Sequence, residues 1–290
     1  MKNSILIILC ACTFASCKKN ETLQKEVTET SSVRKTQPNY VVTTEVALKS
    51  AVNSANPGDI IKISGTINLT STLQCLRSGT SSSKINLTGG TLNCSGISSG
   101  WGVKVNGSYW NITNMTIKNS PDCGLVFQTG GYNYVYNVTT SNNGDTGLQI
   151  YNGSHHNSIN SCISNDNYDV ANGGENADGF ACKLSAGQGN QFNNCTATHN
   201  SDDGWDLYGQ PYKVTITGCT AQNNGYGTNG DGNGFKLGSA GQSVPHTVTN
   251  CIANNNIGHG YDGNGNTGHI TTTGSTGSGN GLSPLFYRIY

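Results

Sequence analysis

One spacing recurs along this chain, and few architectures can satisfy it. A glycine followed by an apolar–x–apolar triplet appears at Gly124, Gly147, Gly179, Gly204 and Gly234, with a weaker copy at Gly260. A small or apolar residue recurs at Met115, Val138, Cys162, Cys195, Cys219 and Cys251. In four copies this second landmark precedes the glycine by nine residues, and 14 to 17 residues lead on to the next copy. One turn of the repeat is therefore about 24 residues long. A turn of short alternating strands cannot bury its apolar face alone, so the turns must stack. The fold expected is all-β, a right-handed parallel β-helix.

Stacking converts sequence offsets into contacts. Asn143, Asn167, Asn200, Asn224 and Asn256 each stand five residues beyond a landmark and are expected to hydrogen-bond up the stack as a ladder. Cys162, Cys195, Cys219 and Cys251 fall in one column and read as small core residues, reduced and stacked, with disulfide pairing among them as the alternative. The stretch "TTEVALKSAVNSANPGD" puts Leu48, Ala51, Val52 and Ala55 on one face before Asn56-Pro57-Gly58. It predicts a short amphipathic helix that caps the open end of the first coil, with "IIKISG" beginning the strands. Thirty-nine glycines and 34% hydrophobic residues suit many short strands divided by turns better than packed helices.

Ahead of the repeat, "MKNSILIILCACTFASC" has a basic start, an apolar run and small residues leading to Cys17. Residues 1–17 read as a lipoprotein-type signal peptide, "FASC" resembling a lipobox in which Cys17 would be acylated. Residues 18–40 read as a flexible polar tether, and 41–290 as a single β-helix domain. The expected location is export, either to the outer membrane or cell surface as a lipoprotein or into the medium. Contact with a membrane is expected only through the lipid anchor at Cys17. Zero formal net charge without a basic cluster argues against a nucleic-acid partner, and a monomer is expected.

The stretch "NSDDGWDLYG" is the densest acidic point in a chain with only 16 acids. One residue after each repeat glycine come Leu148, Phe180, Trp205, Phe235 and Tyr261, an apolar and aromatic column. Strands alternate, so this column faces inward and Trp205 is a core residue. Two after the glycine the side chains face outward: Gln149, Ala181, Asp206, Lys236 and Asp262. One before it the column reads Thr146, Asp178, Asp203, Asn233 and His259. Asp178, Asp202, Asp203 and Asp206 thus converge on a patch two coils high. Two such charges about 5 Å apart repel by roughly 3 kcal/mol at an effective dielectric near 20. Either some are protonated or a cation sits among them. Oxygen ligands without histidine or thiolate favour Ca²⁺. Ordinary Asx-turn chemistry accounts for Asp145 and Asp231, but not for acids aligned across coils. The two coils that break the nine-residue rule flank this patch. They carry the insertions "NYDVANGGENAD" and "GYGTNGDGN", and solenoid insertions gather on a binding face.

The motifs "NYD", "GGENADGFACKL", "NSDDGWDLY" and "GDGNGFKLG", in this order, resemble the pectate lyases of polysaccharide lyase family 9 over roughly Asn142 to Gly260. The resemblance implies a right-handed parallel β-helix, Ca²⁺ as cofactor, and an acidic polysaccharide substrate. Polygalacturonate (pectin) would be cleaved by β-elimination to 4,5-unsaturated products. It implies Asp178, Asp202, Asp203 and Asp206 as the calcium ligands and Lys236 as the base, the five positions the columns had already singled out. Lys183 is the rival base, outside the Asp206 column. The final coils thin into "TTTGSTGSGNGLSPLFYRIY", a departure that predicts fewer C-terminal turns behind the far subsites. Arginine is too scarce for a residue clamping further uronate carboxylates to be named from the sequence.

Two rival functions stand beside the lyase. Asp202-Asp203 and the "GHG" around His259 resemble polygalacturonase hydrolases on the same fold, but two coils separate the motifs, with Lys236 between them and no Arg-x-Lys following. A non-catalytic calcium-binding adhesin or glycan-binding solenoid would need the aspartates and be indifferent to Lys236.

Overall fold

The computed structural model describes residues 37–290. The expected signal peptide and most of the expected tether lie outside the described residues. The described chain winds as a right-handed β-solenoid of about ten turns, with a single helix among those residues. Two parallel sheets run its length, one of 16 strands and one of nine. The nine-stranded sheet carries the repeat glycines. From the middle onward its strands are Leu148–Tyr151, Phe180–Cys182, Trp205–Asp206, Phe235–Lys236, Tyr261–Asp262 and Phe286–Tyr287, stacked in chain order.

Register follows the expected columns. Phe180 pairs with Trp205, Trp205 with Phe235 and Phe235 with Tyr261. All four are fully buried. Their rings stack at centroid distances of 4.8, 4.8 and 5.0 Å, the spacing of adjacent strands. Trp205 is a core residue, and its indole N–H has no hydrogen-bond partner. Trp205→Phe would continue the phenyl stack and delete that unpartnered donor, whose burial costs on the order of 1–3 kcal/mol. It is expected to cost less than about 1.5 kcal/mol of stability, against roughly 3–5 for Trp205→Ala, measured by denaturant unfolding.

The asparagine ladder forms and continues one coil further. Each Nδ2 donates to the next Oδ1 from Asn143 through Asn167, Asn200, Asn224 and Asn256 to Asn280, at 2.8–2.9 Å. The corner that holds it has a local cause. The preceding residues Asn142, Asp166, His199, Asn223 and Asn255 all have φ between 54° and 56°, a conformation that Asn, Asp and His tolerate best among non-glycine residues. A second ladder, from Asn133 through Asn157 to Asn190, turns another corner. The eight described cysteines are buried and unbridged, and Cys219 and Cys251 accept backbone N–H groups from the coil before.

The capping helix runs Glu45–Ser54 with Thr44 as its N-cap, and it buries Leu48, Ala51 and Val52 over the first coil. One expectation needs correcting. The strands begin before the helix, with Tyr40–Val42 paired to Ile61–Ile63. Three residues give too short a period to be recognised beside a polar segment.

Candidate metal and catalytic site

The outward side chains of the nine-stranded sheet should be wet, yet Gln149, Asp206 and Asp262 are buried. The two insertions explain this for the first two. Asp169 ties the first insertion to itself by accepting from Asn172 and Asn176. Asn229 of the second insertion donates to the Asn172 carbonyl at 2.9 Å, and Thr228 Oγ1 to that of Gly173. Ser201 of the coil between them donates to Gly174. The joined loops wall a cleft of about 470 Å³ whose lining includes Gln149, Lys183, Asp202, Asp206, Asp231 and Lys236.

Beneath this cleft the sequence-predicted acids come together as three and one. Asp178, Asp202 and Asp203 each present an oxygen within 4.8 Å of the others, all buried. Asp206 pairs in register with Lys236, as expected, but its carboxylate answers to a different lysine. Lys183 Nζ stands 3.0 Å from Asp206 and 2.8 Å from Asp178, both through Oδ2. Lys236 Nζ stands 2.7 Å from Asp231 and 3.3 Å from Asp203 Oδ2. The latter contact has ion-pair distance without hydrogen-bond geometry, so Asp203 Oδ2 remains a buried oxygen with no donor.

A backbone ladder sets these orientations. The Asp203 N–H donates to Asp178 Oδ1, that of Asn233 to Asp203 Oδ1, and that of His259 to Asn233 Oδ1. Asp231 N–H likewise holds Asp202 Oδ1 at 2.7 Å. Spending Oδ1 of Asp203 on the scaffold leaves Oδ2 available. With Asp231 included, five aspartates face two ammonium groups and leave three negative charges uncompensated, a deficit that a divalent cation largely fills. Without one, protons must. Burial first, then the neighbouring acids Asp203 and Asp178, pushes Asp202 up to about 10. Asp178 rises to about 7, burial outweighing the pull of Lys183. Burial lowers Lys183 and Lys236, but the aspartates outweigh it and hold both above the ordinary lysine value.

Two residues named from the sequence take roles there that the columns do not predict. Asp231 had passed for a turn residue, yet its carboxylate is the nearest anion to Lys236. Lys183, the expected rival base outside the Asp206 column, instead reaches back with its side chain between two aspartates. His259 turns away from the acids: its ring stacks on Tyr287 at 4.2 Å and Nδ1 lies 3.1 Å from the Pro284 carbonyl oxygen.

A family model described as "Pel9A-like, right handed beta helix region" matches residues 30–288. The chain belongs to the Pel9A-like right-handed β-helix family. Among curated relatives, it is 36% identical over 203 residues to pectate lyase L of Paenibacillus polymyxa (strain SC2), covering 63% of this chain and 44% of that one. It is 42% identical over 135 residues to pectate lyase L of Dickeya chrysanthemi, covering 43% and 32%. The crystal structure of pectate lyase Pel9A superposes with a TM-score of 0.75 at 31% identity, over 81% of this chain and 64% of that one. The chain thus spans less than half the length of those two curated relatives. A rhamnogalacturonan lyase structure at 22% identity and a TM-score of 0.62 shares the fold. Within the Pel9A-like family, this chain presents buried hard-oxygen donors beside two lysines.

Proposed function

We propose that the protein is a calcium-dependent pectate lyase that cleaves polygalacturonate by β-elimination. The observation that carries the reading is the donor-less Asp203 Oδ2, held among buried carboxylates and 3.3 Å from the Lys236 ammonium. The donor set is all oxygen, three carboxylates close enough to share one ion, which fits a hard dication better than zinc or copper. Asp178, Asp202 and Asp203 would hold Ca²⁺, with Asp206 beside them on Lys183. Bound there, the ion supplies positive charge against the substrate's C6 carboxylate and stabilises the charge that develops as C5 loses its proton. Lys236, neutral at that moment, takes the C5 proton on Nζ. The C5–H pair becomes the C4–C5 double bond, the C4–O bond breaks, and the departing oxygen takes a proton from water. Asp231 and Asp203 hold the Lys236 side chain at the cleft, and the joined insertions shield the site from solvent on one side. The basic start and "FASC" before Cys17 support export, where a polymer of this size is met.

The test is ultraviolet absorbance of the unsaturated product on polygalacturonate, with Ca²⁺ and with a chelator. Signal that requires Ca²⁺ supports the reading. New reducing ends without absorbance would replace it with hydrolysis, for which the placement of His259 gives no support. Neither product, with Ca²⁺ still raising the melting temperature, would leave a calcium-bearing glycan-binding solenoid.

The metal has a second readout, independent of turnover. Because Asp178 and Asp202 sit above their ordinary 3.8, the metal-free folded chain holds protons that the unfolded chain has released. Its stability therefore falls as pH rises from near 4 through 7 and beyond. Saturating Ca²⁺ should flatten that fall. At a hundredfold excess over Kd it adds about 2.7 kcal/mol, and the gain in melting temperature should be larger at pH 8 than at pH 5. Equal shifts at both values would count against ion binding by these acids.

A further inference from the structure

The outward column does not end at Lys236. Lys236 pairs in register with Asp262, and Asp262 with Tyr287, so the column runs two strand spacings past the base. Buried Asp262 receives the fork of Arg288, with Nε 2.9 Å from Oδ1 and Nη2 on Oδ2. A second Nη2 contact reaches Asn264 Oδ1 at 3.4 Å. The Nη1 amino group takes no part in this fork. The guanidinium carbon lies 4.8 Å from the centroid of the Tyr287 ring, and His259 stacks on that ring at 4.2 Å. Arg288 adopts φ 51°, a left-handed conformation that an ordinary side chain takes up only when its surroundings impose it. Tyr287 remains 38% exposed and the Arg288 side chain 36%. The other described arginine, Arg77, is engaged near the capping helix, donating to the Ala55 carbonyl.

We infer that Arg288 and Tyr287 form a subsite for a uronate unit of the polymer, on the C-terminal side of Lys236. The inference rests on the lyase reading above and extends it to substrate binding. A polyuronate laid along the solenoid axis offers a carboxylate on each sugar, at a repeat comparable to the strand spacing of about 4.8 Å. The Arg288 plane, backed by the Tyr287 ring, offers its outer face to a pyranose, and the Nη1 edge offers N–H donors to its carboxylate. Asp262 pre-sets the fork, so little rotamer freedom is lost on binding. His259 packs behind the ring as its support.

The test is calorimetric titration of hexagalacturonate, in the presence of Ca²⁺, into the Lys236→Ala protein, which binds without turnover. Adding Arg288→Ala is expected to weaken binding tenfold or more, with Arg288→Lys intermediate. Arg288→Ala strands a buried carboxylate, so the pair Arg288→Ala with Asp262→Asn serves as the fold-safe variant. Its melting temperature should stay close to that of Lys236→Ala while the affinity loss persists. Unchanged hexamer affinity in both variants would overturn the subsite and leave the lyase reading intact. Failure of Lys236→Ala to bind any hexamer, with wild-type protein inactive on polygalacturonate, would take down both.

Discussion

Lys236→Ala is expected to lower kcat on polygalacturonate by about 10²–10⁴-fold, the range a positioned general base contributes, while Ca²⁺ affinity is kept or rises, since an ammonium 3.3 Å from Asp203 Oδ2 is removed. The reason lies in what surrounds the ammonium. Burial draws Lys236 toward its neutral form, but Asp203, Asp206, Asp231 and Asp178 outweigh it and hold the side chain protonated in the metal-free protein. A dication among those acids cancels their field, and only then can a neutral amine be populated at accessible pH. Activity should therefore rise toward alkaline pH, and a neutral or acidic optimum would argue against lysine as base. Lys236→Arg sharpens the test. Arginine keeps the charge and cannot be deprotonated, so it should be as inactive as alanine. An active arginine variant would recast Lys236 as an electrostatic partner and point to another base.

Lys183→Met should be the most destabilising single change at the site, by roughly 3–5 kcal/mol in the metal-free protein. Its side chain is 12% exposed and spans two carboxylates with side-chain exposures of 0% and 5%. Methionine fills much of the same volume but leaves both anions without a partner. The cost should be greatest at alkaline pH, where protonation cannot relieve Asp178. Added Ca²⁺ should recover part of the loss, read as melting temperature with and without the ion. A variant as stable as the parent at pH 8 without metal would mean that the two ion pairs contribute nothing net. Turnover by this variant would separately dispose of Lys183 as the base.

Most of the placement of the candidate site was legible because the solenoid makes distance in space a multiple of distance in sequence. Phe180, Trp205, Phe235 and Tyr261 fell into one column because strand alternation and the glycine landmark fix their phase together. The same phase put Asp206 opposite Lys236 and Asp178 beside Asp203. What the phase does not fix is where a long side chain ends. Lys183 lies just past its strand, and its flexible stem carries the ammonium back to Asp206, which the columns had given to Lys236. Asp231 belongs to an insertion whose path no repeat constrains, so only the fold brings its carboxylate to Lys236. The Asn133–Asn157–Asn190 ladder was equally legible, since its members stand five residues before Val138, Cys162 and Cys195, but it spans only three coils, Val214 and His246 taking the position in the next two.

The joined insertions have a consequence for how such a site changes over time. Gly173 adopts φ 67°, and a β-carbon there would stand 2.7 Å from Asn229 Nδ2, so the two loops meet with no slack. One loop brings Glu175 and Asn176 to the cleft and the other brings Asp231. Grafting either one from a relative would misfit its counterpart and shift the residues opposite. The wall thus behaves as one unit, and a substitution that reshapes one loop needs a matching change on the other.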